Sequence, residues 1–229
     1  MTTTTTMFPK IRREIARHYN AKRKEYAFFV RKGYFPHWAE EHRTNPDQGL
    51  RQYLTPTKLA AYQSGQLPRS KAVELATKRA MREVDGYEAA ELRKLAAAEQ
   101  APDLEWADIS VTWVRSRTWG HNPHVEARSS NGITEGKASG CGYDKESAAV
   151  ASALNANPSV LRALYRVKEK HVRTRNADLF GYGSGYGLLP YLEGGVGVGC
   201  YPKIFEACGY QFKTISSGRS YDIYQITRR

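Results

Sequence analysis

The sequence predicts an α+β fold: a basic helical region over residues 1–104, then an α+β domain over 105–229 built on an antiparallel sheet with helices packed on one face. Three observations predict it. Apolar residues in the first hundred positions recur with a helical period. From about Asp108 the pattern becomes the two-residue alternation of half-buried strands. Asn131-Gly132 then supplies the two-residue turn of a hairpin.

The elements follow in order. Thr2 to Thr6 is a polar tail. From Pro9 to Lys32 the spacing of Ile11, Ile15, Tyr19, Tyr26 and Phe29 predicts a helix, stopped by Gly33 and Pro36. Thr55 caps a short helix that starts at Pro56 and ends near Gly65. Pro68 and Ser70 open a longer helix to Gln100, spaced by Val73, Ala76, Ala80, Val84 and Tyr87, with Gly86 as a possible break. Ile109 to Arg115 reads as a strand, 118–123 as a loop, His124 to Arg128 as a second strand, and Ile133 to Ala138 as its return. Asp144 caps a helix through Leu154, and Pro158 starts another to Lys170. The glycine-rich stretch 181–199 is expected to form loops with a short strand around Leu188 to Leu192. Pro202 to Cys208 is a short helix closed by Gly209, and Tyr210 to Ile215 with Tyr221 to Gln225 is a closing hairpin.

Charge is the unusual feature. Lys and Arg number 35 against 23 Asp and Glu, a net +12, with a pI near 9.6. Such an excess bears on partners: phosphate backbones, anionic lipid surfaces or acidic proteins. More than half of it lies in Pro9 to Lys32, where nine Lys and Arg face only Glu14 and Glu25. Cations fall all round that helix and leave no broad apolar face for a membrane surface. No stretch approaches the roughly 20 apolar residues that span a bilayer. The N-terminal threonine run lacks the apolar core of a signal peptide. Cys141, Cys200 and Cys208 have neither zinc-knuckle nor redox-pair spacing and read as free thiols. A cytoplasmic protein is expected, without membrane association.

Arginine and lysine interleaved with tyrosine and phenylalanine suit phosphate contacts with stacking on exposed bases. Arg12, Arg13, Arg17, Lys22, Arg23 and Lys24 are therefore the candidate phosphate contacts, with Arg115, Arg117 and Trp119 secondary. The helices at 56–64 and 70–82 could form a helix-turn-helix presenting Arg69, Lys71, Lys78, Arg79 and Arg82, although the connector holding Gly65 and Pro68 is long for that motif. The sheet face left uncovered by helices 144–155 and 158–170 is a further candidate surface.

Catalysis finds little support. His121 and His124 with Cys141 and Asp144 could be imagined as a hydrolase or metal set, but two histidines three apart around a proline need not converge. The glycine runs 181–187 and 194–199 lack the G-x-G-x-x-G pattern and its strand-then-helix setting. Tyr182, Tyr186, Tyr191 and Tyr201 within and beside them would suit base stacking or a protein interface. No enzyme activity, catalytic residue, metal or cofactor is expected.

Two resemblances add context. The order helix, three strands, helix over residues 89–155 resembles a double-stranded-RNA-binding domain. That implies a groove-entering loop at Gly120 to Pro123 and a phosphate-facing helix from Asp144-Lys145-Glu146-Ser147. Here the basic cluster at that helix start is reduced to Lys145 flanked by acids. The runs Ser116-Arg117-Thr118-Trp119-Gly120, Asn122-Pro123 and Gly140-Cys141-Gly142-Tyr143-Asp144-Lys145-Glu146-Ser147 resemble a phage and mobile-element protein family of gut-type bacteria, from about Thr55 onward. That resemblance implies a mobile-element setting and brings no activity with it. The expectation is a mobile-element nucleic-acid-binding protein contacting RNA or DNA. The alternative is a protein-binding host-defence antagonist, anti-CRISPR-like, acting on a host nucleoprotein enzyme.

Overall fold

The computed structural model describes residues 6–114, 124–130, 135–138, 145–185, 187–219 and 221–229, and in it the first helix, α1, runs Pro9–Lys32, the range its periodicity predicts. Its opening amides, Lys10 and Ile11, each donate to the Glu169 carboxylate at 2.9 Å, so a glutamate distant in sequence satisfies donors that a first turn leaves free. Gly33 ends the helix at φ +82°, its amide donating to Phe29 O. A side chain there would strike the backbone of Asn45 and Pro46.

The chain divides into two units, one of Arg13–Arg93 and one of Met1–Arg12 with Lys94–Arg229. The first holds most of α1, then α2 (Gln48–Tyr53), α3 (Pro56–Gln63) and most of α4 (Arg69–Gln100). As expected, the Thr55 side chain caps α3 by accepting from the Lys58 amide. α4 continues unbroken through Gly86, extending about 48 Å at the standard rise. Phe29, Val30, Leu50, Tyr53 and Leu54 pack against Ala72, Ala76 and Ala80 of α4. Alanine at every fourth position lets these rings approach the helix closely. Phe29 stacks on Phe35 at 4.4 Å and meets Trp38 and Tyr53 edge-on. The short α2, not foreseen from the sequence, exists because this apolar cluster needs Leu50 and Tyr53.

The second unit is the α+β part. Five antiparallel strands, β1 (Trp106–Val114), β2 (His124–Ser129), β3 (Glu135–Ala138), β4 (Tyr210–Ser217) and β5 (Tyr221–Arg228), lie in the order β3-β2-β1-β5-β4. Ala107, Ile109, Val111, Ala127, Phe212, Tyr224 and Ile226 turn to one buried face. On it α5 (Lys145–Ala156) covers β1 to β3 and α8 (Tyr201–Ala207) covers β4, while α6 (Pro158–Lys170) packs against α5. Gly136 permits the closest approach, since a Cβ there would lie 2.0 Å from Ala149 O and 2.5 Å from Ala153 N. Asn157 caps α6, its side-chain oxygen accepting from the Ser159 and Val160 amides.

The expected short strand at Leu188 to Leu192 does not form. The segment instead folds back on itself through Tyr191 N to Ser184 O and Glu193 N to Gly183 O. Asn155 pins it by bonding Leu192 at both its amide and its carbonyl. A five-residue helix, α7 (Asn176–Phe180), precedes it. Both closing strands run longer than the sequence pattern indicates, because β5 pairs with β1 as well as β4 along most of its length.

Candidate nucleic-acid interface

The six cations proposed on α1 have different fates. Arg12 reaches Glu99 at 2.5 Å. Arg23 holds Asp85 at 2.8 Å and also bonds Glu88, and the pairing raises its pKa, with the hydrogen bond to Asp85 the largest cause. These two guanidiniums are committed to α4. Lys22 meets Glu25 at 3.0 Å within α1. Arg17 meets Glu14 at 2.9 Å but stays 69% exposed, and an exposed pair of that kind holds the charge weakly. Arg13 and Lys24 are exposed and make no ion pair among the described residues.

The helix sorts these residues by angle. At about 100° per residue, Arg13, Arg17 and Lys24 fall within roughly 40° of one another, and Arg31 joins them. Ile15, Tyr19, Phe29 and Val30, all buried, occupy the opposite side. Neither acid of α1 lies in the basic sector. From Arg13 to Arg31 the stripe extends about 27 Å, the axial length of roughly eight base pairs. Arg31 was not singled out by sequence, although the seven-residue interval from Lys24 places it on the line. It donates through Nε to Ala27 O of its own helix.

The aromatic half of the expectation is not met on α1. Tyr19 and Phe29 are buried and Tyr26 packs on Phe35 and Tyr53, so these rings fill the core in place of facing bases. Burial and the neighbouring Glu91 push the Tyr19 phenol up to about 12. Phe28 is half-buried against Tyr34, over whose ring Arg43 sits at 5.0 Å. Tyr201 is likewise a core residue, fully buried and donating to Ser147 O. Tyr182 and Tyr191 remain exposed.

The other proposed surfaces differ in content. Arg69 binds Asp47, Tyr62 and the carbonyls of Arg31 and Pro46, tying down the loop before α2 and leaving little of its fork for a ligand. Lys71 pairs with Glu74, whereas Lys78, Arg79 and Arg82 are exposed. On the open face of the sheet, Arg128 and Lys137 are matched by Glu126 and Glu135 at 3.3 to 3.8 Å. That face carries Trp106 and Tyr221 exposed but has no basic excess at this edge. Arg115, Arg117 and Trp119 lie outside the described residues, as do His121, Cys141, Asp144 and the loop at 120–123.

No family model, curated protein or solved structure matches the chain. Among the described residues no helix is long and apolar enough to cross a membrane. The class defined by the structure is therefore an α+β protein with an antiparallel five-stranded sheet and a helical unit bearing an exposed basic stripe.

Proposed function

We propose that this chain binds nucleic acid through its phosphate backbone, using Arg13, Arg17, Lys24 and Arg31 on the outer side of α1. One observation supports the reading most: these cations share a solvent-facing line that contains no acid, opposite the helix's buried side. Contacts of this type carry no sequence information, so binding is sequence-independent and salt-sensitive. Arg12 and Arg23 support the helix from behind by pairing with Glu99 and with Asp85 and Glu88. The mobile-element setting implied by the sequence resemblance belongs to the same reading.

The test is equilibrium binding of the purified chain to labelled single- and double-stranded RNA and DNA. Dissociation constants of roughly 1–100 μM at physiological salt, tightening steeply as salt falls, are expected for non-specific backbone binding. Negligible binding to all four at moderate salt would overturn the reading and assign the charge to an acidic protein partner.

A further inference from the structure

In the α+β unit, a cleft of about 420 Å³ opens between the last turns of α6 and the junction of α8 with β4. Arg166 and Lys170 line it from α6, Arg228 lines it from the end of β5, and no carboxylate is among its lining residues. The two acids that pair with these cations among the described residues hold them incompletely. Asp103 meets Arg166 at 2.8 Å but shares the same oxygen with Arg162 at 2.9 Å. Glu105 meets Arg228 only at 3.4 Å, with both side chains more than half exposed. Lys170 makes no ion pair among the described residues. The carbonyl ends of α6 and α8 contribute at most about half a negative charge each, which leaves the cations in excess.

The remaining wall suits an oxyanion. Tyr210 also lines the cleft, and burial raises the pKa of its phenol. Burial pushes the Cys208 thiol up to about 12, which makes it a neutral wall and a poor nucleophile. Ala163 and Val167 add an apolar flank. Two guanidinium forks and an ammonium lining one space match the oxygens of a phosphoryl group. We propose that this cleft binds a phosphate group, carried either by a free nucleotide or by the 5′ end of a strand. The proposal does not depend on the α1 stripe.

The experiment is calorimetric titration of the full chain with inorganic pyrophosphate at constant ionic strength, repeated with Lys170→Gln/Arg228→Gln. Wild type should bind saturably, and the double variant at least about tenfold more weakly, since two charge-assisted contacts are lost. Arg13→Gln/Lys24→Gln should bind pyrophosphate as wild type does, which separates this site from the stripe. If the double variant unfolds early in a thermal scan, Lys170→Gln alone carries the comparison. No saturable binding by wild type, or equal affinity in the cleft variant, overturns the proposal. Displacement of pyrophosphate by a 5′-phosphorylated oligonucleotide and not by its 5′-hydroxyl counterpart assigns the strand end. Displacement by adenosine monophosphate but by neither oligonucleotide assigns a free nucleotide.

Discussion

Replacing Arg13, Arg17, Lys24 and Arg31 together by glutamine is expected to change the salt dependence of nucleic-acid binding with little change in stability. The four side chains lie on the outer side of α1, and glutamine is a good helix former, so the variant deletes charge without opening the core. If each cation neutralises one phosphate, the four together contribute a slope of log K on log salt of about −3.6 for duplex DNA and about −2.8 for a single strand. A fourfold rise in salt, from roughly 50 to 200 mM, then costs about 150-fold in affinity on duplex and about 50-fold on single strand through these contacts alone. Fluorescence anisotropy with one labelled duplex and one labelled strand, across a salt series, measures both slopes. The variant's slope should be shallower than wild type by those amounts, with helix content by circular dichroism retained. A slope unchanged to within one unit refutes the assignment. Arg12→Gln/Arg23→Gln is the necessary contrast: those cations already have carboxylate partners, so this variant should keep the slope and lose stability instead.

Three further outcomes are expected. Arg23→Gln leaves the half-buried Glu88 without its cation and should lower unfolding stability by roughly 1 kcal/mol, read from the denaturant midpoint, with nucleic-acid affinity within about twofold of wild type. Gly136→Ala should destabilise by about 1–3 kcal/mol through overpacking against the backbone of α5, whereas Gly86→Ala, whose Cβ enters open space, should stabilise α4 by roughly 0.5–1 kcal/mol; the reverse order in urea unfolding would contradict the packing described. Asp103 has its pKa lowered, first by the hydrogen bond to Arg166, so its contribution is present in full above the unfolded carboxyl value of about 3.9 and is lost as pH falls through the lower folded value. Wild type should therefore be more stable than Asp103→Asn at pH 6, with the gap closing in acid; a gap that persists or widens below pH 3 argues against the pair.

Helices were read from the sequence more accurately than sheet pairing, and the reason is range. α1 and α6 match their expected bounds because the information is local: Pro9 opens α1 and Gly33 closes it, while Pro158, just after the Asn157 cap, opens α6. β1 and β5 were each visible as alternating segments, but their pairing, Ile109 against Tyr224, joins residues more than a hundred positions apart. No turn signal connects them. α2 escaped notice for a related reason: Gln48–Tyr53 has little periodicity of its own and is held by Leu50 and Tyr53 inserting beside Phe29. The strand expected at Leu188 to Leu192 failed because Asn155 and the turn at Gly183 to Gly185 take its backbone bonds.

The candidate interface shows the same division. That α1 is basic was evident, and so was the alternation of cations with aromatics, but a list of residue types does not say which way each one points. Two of the six proposed phosphate contacts, Arg12 and Arg23, turn toward carboxylates contributed by α4, 87 residues away for Glu99 and 62 and 65 for Asp85 and Glu88. The aromatics that suggested base stacking are the ones that anchor the helix to its core. Helical phase separates these roles: with Ile15, Tyr19 and Phe29 taken as buried, Arg13, Arg17, Lys24 and Arg31 fall opposite them, whereas Arg12, Lys22 and Arg23 do not. The stripe proposed to bind phosphate thus lies on the side of α1 away from the core. Among the described residues no acidic side chain pairs with a cation there, save Glu14 at the exposed end of Arg17.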